Sequence, residues 1–308
     1  MSLPRILLKT IKSWVKQPKI SLVLCVQQSE VVRGFNFSQE GYSSAINDTQ
    51  SLCLRESLAS QLSNPLMEYF ASHKEGKGIW KWNHYFELYQ KHFQKFVGHE
   101  VHILEIGIYS GGSLEMWKHY FGSQCHVYGV DIEEACRAYE NEYTKIFIGD
   151  QADPKLWKFV KEHVPKIDIL IDDGGHQAIQ QIITLEEMLP FISPGGVYFC
   201  EDIHDVDNAF ISYLFGMLKS LNAFNRFSDD APVNPTPFQS WIKAIHFYPY
   251  VSVIEKAENP EKEFSAPKHG TEWQPFYNFL FSGKAGSCGL DKEEVLKEKS
   301  PKDNDNIS

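Results

Sequence analysis

The sequence predicts an α/β fold: a doubly wound, Rossmann-like parallel sheet with its ligand crevice at the carboxyl edge of the strands. Three observations predict it. Short apolar runs alternate with helix-like stretches from Val101 to Cys200. A glycine turn, Gly107, Gly111 and Gly112, follows the first run, as at the opening of a nucleotide-binding βαβ unit. The later runs end in polar or acidic residues: Asp131, Asp150 with Gln151, Asp172 with Asp173, and Glu201 with Asp202.

The 308 residues allow one large domain or two small ones. A net charge of -10 and the absence of a basic stripe interleaved with aromatics argue against nucleic acid and for a small molecule. No apolar run approaches the roughly 18 to 20 residues that span a bilayer. The six cysteines show no metal-ligand spacing, which fits a reducing compartment. Three segments are expected: an amino-terminal helical and loop extension over 1–74, a main domain over 75–257, and a carboxy-terminal extension over 258–308 ending in a disordered tail.

In chain order, residues 1–29 hold Arg5, Lys9, Lys12, Lys16 and Lys19 and no acid before Glu30, with Leu7, Leu8, Ile11 and Trp14 able to share one helical face. The segment resembles a transit peptide or a surface-seeking helix. Packing on the domain or on a second subunit is preferred, so the expectation is a cytoplasmic protein with mitochondrial import as alternative. Residues 30–65 read as loops and a short helix. Over Ile79 to Val97, Trp82, Tyr85, Phe86, Tyr89, Phe93 and Phe96 recur at helical spacing and are read as core. Gly76-Lys77-Gly78 before them is a hinge-like entry.

VHILEIGIYSGG is a strand and its glycine turn, and SLEMWKHYF the helix after it. Glu105 would repel a pyrophosphate, and the spacing is not G-x-G-x-x-G. An acid there suits a cationic ligand, and S-adenosylmethionine carries an amine and a sulfonium. CHVYGVD ends at Asp131, placed either to accept from ribose hydroxyls or to cap the next helix. KIFIGDQADP gives a third strand, with Asp153-Pro154 starting a helix.

ILIDDGGH then delivers Asp172, Asp173 and His176 to the sheet edge, and GGVYFC delivers Glu201 and Asp202. Buried neighbouring carboxylates need a cation or a shared proton. Several hard oxygen ligands suit magnesium. His176, three residues past Asp173, is a candidate general base. His204 is read as a loop histidine and Asp205 as a helix cap. Helices follow over Ala178 to Leu189 and Phe210 to Leu221, then a lid-like loop over Asn225 to Ser240. KAIHFYPYVSVIEK reads as a hairpin about Pro249-Tyr250 that closes the far edge of the sheet.

The stretches KWNHYFELYQKHF, ILEIGIYSGGSLEMWKHYF, VYGVDI, GDQADP, IDDGGH and PGGVYFCEDI, over roughly residues 80–205, resemble class I S-adenosylmethionine-dependent methyltransferases. Within that class they resemble the metal-dependent sugar O-methyltransferases of macrolide biosynthesis, of the mycinamicin and tylosin type. The resemblance implies a seven-stranded sheet with its last strand antiparallel, S-adenosylmethionine over the first glycine turn and Mg2+ beside the acceptor hydroxyl. Carried over by motif, Asp173, Glu201 and Asp202 resemble the metal ligands and His176 the base. Glu105, Gly107, Ser113, Asp131, Asp150, Gln151 and Asp172 are the cofactor contacts the resemblance implies. The function so implied is O-methylation of a small-molecule hydroxyl, on a sugar or other secondary metabolite. Its rivals are a metal-independent methyltransferase, a protein that binds the cofactor without turnover and, third, a dehydrogenase.

Overall fold

The computed structural model describes residues 30–41, 63–223, 233–267 and 269–270. The chain divides into two units, Met1–Ser63 and Asn64–Ser308. In the first, residues 30–36 form a helix that continues as a π-helical turn over Phe37–Gly41. The basic amino terminus, residues 225–232 of the lid-like loop and the carboxy-terminal tail lie outside the described residues.

The second unit is built on a seven-stranded sheet of order β3-β2-β1-β4-β5-β7-β6. Strands β1 (Val101–Ile106), β2 (Cys125–Asp131), β3 (Thr144–Ile148), β4 (Ile167–Asp172) and β5 (Ile192–Cys200) are parallel. The hairpin of β6 (Ile242–Tyr248) and β7 (Val251–Lys256) completes the sheet, with β7 antiparallel to both β5 and β6. Burial decides which hairpin strand lies inside. Val251, Ser252, Val253 and Ile254 are all buried, so β7 needs cover on both faces, whereas β6 is mostly half-exposed and takes the edge.

Successive side chains of the parallel strands alternate between two cores. Ile103 packs with α1 (Pro65–Ser72), α2 (Tyr85–Phe93) and α3 (Gly112–Phe121) on one face. Leu104 and Ile106 pack with α4 (Pro154–His163), α5 (Ala178–Met188) and α6 (Ala209–Leu221) on the other. Each face buries a tryptophan completely, Trp117 in α3 and Trp157 in α4. A short helix, α7 (Pro237–Trp241), precedes β6. Cys125, Cys136 and Cys200 are buried and unpaired.

Two boundaries differ from the sequence reading. The aromatic stripe becomes helical only at Tyr85; in the irregular segment before it Lys81 turns inward to Asp173, while the half-exposed Trp82 donates to Asp202. The cap of α6 is Asn208, whose side chain accepts from Phe210 N at 2.8 Å. Asp205 lies three residues earlier, at φ 71°, with its carbonyl accepting from Asn208 N.

Strand order reverses between β1 and β4, which opens a crevice at their carboxyl ends. Gly107 sets its geometry. At φ 78° a Cβ there would stand 1.9 Å from the Asp173 carbonyl oxygen, so only glycine lets the turn after β1 lie against the turn after β4. The Gly76-Lys77-Gly78 entry packs on this turn, with Gly112 N donating to Gly78 O at 3.2 Å and Lys77 paired with Glu115 at 2.9 Å.

Candidate active site

A cavity of about 990 Å³ occupies this crevice. On the β1–β2 side Glu105, Gly107, Ser113 and Asp131 line it, and Asp150 and Gln151 after β3 close that wall. Asp131 shapes the glycine turn: Oδ2 accepts from Ile108 N at 3.0 Å and Tyr109 N at 3.1 Å, and Oδ1 from Glu133 N at 2.9 Å. It does not sit at the cap of the 3₁₀ turn that follows, whose N-cap position is Glu133, two residues on. Gln151 is a tie: its amide donates to Asp172 Oδ1 and Thr184 Oγ1, and its oxygen accepts from Gly175 N at 2.8 Å.

Asp172, expected among the cofactor contacts, is not on the cavity wall. It is 1% exposed and turns to the opposite face of the sheet, where Oδ2 accepts from Tyr198 OH at 3.0 Å. Consecutive strand residues face opposite sides, so only one of the aspartate pair can reach the crevice. Burial raises the Asp172 carboxyl above the usual aspartate range, although Gln151 and Tyr198 work against the shift.

Asp173 does reach the crevice, and its partner is Lys81, a residue the sequence reading passed over. The Lys81 side chain is 3% exposed and its Nζ lies 2.7 Å from Asp173 Oδ2, 3.2 Å from Glu201 Oε2 and 3.1 Å from Glu105 Oε1. Burial works to lower Lys81, but Asp173, Glu201, Tyr89 and Glu105 outweigh it and hold the ammonium well above the ordinary lysine range. Burial drives Glu201 well above the usual glutamate range and raises Asp173 too, with Lys81 opposing both. The second oxygen of Glu105 accepts from Ser113 OH at 2.7 Å and Trp117 Nε1 at 3.1 Å.

Tyr85 and Tyr89, one helical turn apart on α2, donate to Asp202 Oδ1 and Glu201 Oε1, each at 2.7 Å. The stripe read as core is therefore core by its rings and site by its hydroxyls. Tyrosine, where phenylalanine would pack as well, was the signal available in the sequence. His176 Nε2 faces Asp202 Oδ2 at 3.8 Å and Asp173 Oδ1 at 4.0 Å, and its Nδ1 is buried without a hydrogen-bond partner. His204, read as a loop histidine, also lines the cavity, 3.8 Å from Asp202 Oδ1 and packed on Tyr250. Trp82 completes an aromatic rim, donating to Asp202 Oδ1 at 3.0 Å and packing on Tyr250.

The backbone is strained here. Tyr109, His176, Asp202 and Tyr250 are non-glycine residues at φ between 45° and 64°. Such conformations cost on the order of 1 to 3 kcal/mol each and persist where the surroundings enforce them.

The donor set fits a divalent cation. Glu105, Asp173 and Glu201 share the Lys81 ammonium and Asp202 lines the same cavity, an imbalance that a buried site must relieve with further cations or protons. Asp173, His176 and Asp202 each offer a ligand atom, all within 4.8 Å of one another. Glu201 stands behind them, one oxygen held by Tyr89 and the other by Lys81.

No protein-family model matches the chain. It is similar in sequence to sugar O-methyltransferases of antibiotic pathways. It is 30% identical to demethylmacrocin O-methyltransferase of Streptomyces fradiae over 70% of this chain and 60% of that one. It is 28% identical to the 8-demethyl-8-alpha-L-rhamnosyl tetracenomycin-C 2'-O-methyltransferase of Streptomyces olivaceus over 60% of this chain and 53% of that one. The chain thus spans little more than half the length of these relatives. Among solved structures, the MycE methyltransferase of the mycinamycin pathway, in complex with Mg and SAH, shares the fold at TM-score 0.52 and 24% identity, over 66% of this chain and 57% of that one. The seven-stranded sheet with β7 antiparallel is the α/β methyltransferase fold.

Proposed function

From this fold and this similarity, we propose that the chain is an S-adenosylmethionine-dependent O-methyltransferase, with Mg2+ as its metal, acting on a hydroxyl of a sugar or other secondary metabolite. The observation that carries the reading is the position of His176. Its Nε2 faces two carboxylates, Asp173 and Asp202, inside the same cavity that the glycine turn and Asp131 line. The aromatic rim of Trp82, His204 and Tyr250 supports a small acceptor with flat apolar faces.

S-adenosylmethionine supplies a methyl group on a sulfonium and leaves as the thioether. Glu105 favours its cationic end and Asp131 its ribose hydroxyls, with Asp150 on the far wall beyond Asp131. Asp173 and Asp202, with Glu201 behind them, would hold the metal, which lowers the pKa of the acceptor hydroxyl. His176 takes the hydroxyl proton at Nε2, and the two carboxylates stabilise the imidazolium that forms. Lys81 fixes Asp173 and Glu201 in place through its ammonium, while Tyr85 and Tyr89 fix the Asp202 and Glu201 oxygens. Holding donor and acceptor in line supplies the rest.

A second reading rests on Lys81, an ammonium among the carboxylates assigned to the metal. On that reading Lys81 is the cation of the site and transfer needs no metal. The test is a methyl-donor assay against hydroxylated metabolites, with and without magnesium and chelator, on wild type and Asp173→Asn. The proposal expects turnover that chelator abolishes and magnesium restores, and a variant that binds cofactor without turnover. Activity that survives chelation supports the second reading, and cofactor binding with no turnover on any hydroxyl compound would reduce the chain to a binding protein.

The net charge of -10 supports a protein without a nucleic-acid partner. No helix among the described residues is long and apolar enough to cross a membrane. A cytoplasmic enzyme, whose catalytic domain takes in α1 and so begins at about Asn64 rather than at residue 75, and whose preceding residues are available for self-association, completes the proposal.

A further inference from the structure

Away from the cavity, three side chains from three elements converge between α2 and the β6–β7 hairpin. His92 Nδ1 lies 2.9 Å from Glu255 Oε1, and His246 Nε2 lies 3.3 Å from Glu255 Oε2. The His92 and His246 rings are 4.9 Å apart, and one ligand atom from each of the three residues lies within 4.8 Å of the others. We propose that His92, His246 and Glu255 form a zinc-type metal site that pins α2 to the hairpin.

The ligand chemistry points to this class of ion. Two imidazoles and one carboxylate suit zinc and its neighbours rather than magnesium or calcium, which prefer oxygen alone. Zinc bonds of about 2.0 to 2.2 Å set tetrahedral ligand atoms roughly 3.3 Å apart. His92 Nδ1 and His246 Nε2 stand 2.9 and 3.3 Å from the two oxygens of Glu255, one to each, so the imidazoles already flank the carboxylate and an ion needs only side-chain movements to join all three. Its fourth position would fall to water.

The surroundings resemble the outer support of a metal site rather than an incidental ion pair. His92 is 2% exposed, and its other ring nitrogen, Nε2, meets Tyr248 OH at 3.0 Å. Tyr248 OH in turn accepts from Lys91 Nζ at 3.0 Å. A metal-binding imidazole is commonly held in this way through the nitrogen that does not bind the ion, which fixes both tautomer and ring plane. His246 is about one-third exposed and leaves an entry path from solvent.

The consequence is mechanical. The helix that carries His92 also carries Tyr85 and Tyr89, so an ion here would steady the hydroxyls that hold Asp202 and Glu201. The inference does not depend on methyl transfer, because none of its ligands lines the cavity.

The experiment uses full-length protein stripped by chelator and titrated with Co2+ or Zn2+. Because Asp173, His176 and Asp202 could also take a transition ion, Asp173→Asn serves as control. Wild type should bind one Co2+ with the visible bands of a four-coordinate ion, keep that equivalent in Asp173→Asn and lose it in His246→Ala. Glu255→Gln should lose it as well, which covers the case of an unfolded histidine variant. Zn2+ should raise the melting temperature of wild type and Asp173→Asn but not of His246→Ala. Wild type without such bands, or bands that persist in folded His246→Ala and Glu255→Gln, overturns the site; so does an equivalent lost from Asp173→Asn alone.

Discussion

Replacing Lys81 by methionine keeps an unbranched side chain one atom shorter and removes its charge. The ammonium is shared by Asp173 at 2.7 Å, Glu105 at 3.1 Å and Glu201 at 3.2 Å, in a site where it is 3% exposed. Its loss leaves the buried Glu105 and Glu201 and the part-buried Asp173 without their cation, and removing one partner of a buried pair costs about 3 to 5 kcal/mol. In a domain of this size about 1 kcal/mol moves Tm by about 2 to 4 °C, so the expected fall at neutral pH is about 6 to 20 °C. The pH dependence has a definite sign. Glu201 and Asp173 already titrate above their ordinary ranges, and without Lys81 they rise further. A carboxyl raised in the folded state contributes stability below its unfolded value, near about 4, and loses it as pH rises through the folded value. The deficit of Lys81→Met should therefore be small in acid and grow toward alkaline pH. Magnesium should raise Tm more in the variant than in wild type, because the vacated charge makes the site a stronger cation binder. Calorimetric melts from acid to alkaline pH, with and without magnesium, measure all three. A variant as stable as wild type at pH 8, or a deficit that shrinks as pH rises, refutes the role given to this lysine.

Other expectations concern the remaining groups of the site. Asp131→Ala removes acceptors for three backbone N–H groups as well as the ribose, so calorimetry should find cofactor affinity weaker by about 2 to 3 kcal/mol; unchanged affinity in a folded variant places the ribose elsewhere. His176→Ala should lower kcat by about 100- to 10,000-fold and flatten the acidic limb of the pH-rate profile, with cofactor affinity retained; a variant that loses metal instead makes the histidine a ligand. Gly107→Ala brings a Cβ onto the Asp173 carbonyl at a φ unfavourable to alanine, and urea melts should show a loss of about 3 kcal/mol or more. A near-neutral result would mean that the two turns do not need their close contact.

By itself the sequence determined the alternation of strands and helices, the glycine turn and the acidic strand ends, because each follows from local periodicity and turn chemistry. The hairpin about Pro249-Tyr250 was legible for the same reason. It could not tell which of Asp172 and Asp173 faces the crevice. The pleat sets them on opposite sides, but which side carries the ligand depends on how β1, β4 and β5 pair and on what the helices cover. Nor could it find His204, which returns to the cavity through turns at Asp202 and Asp205, both at positive φ. Lys81 is the clearest case. A lone lysine in an aromatic stretch reads as solvated, and nothing in its spacing links it to carboxylates 24, 92 and 120 positions away. Only the tertiary structure brings Glu105, Asp173 and Glu201 to one point, and there desolvation and Coulomb attraction act through space, with no period in the chain to announce them.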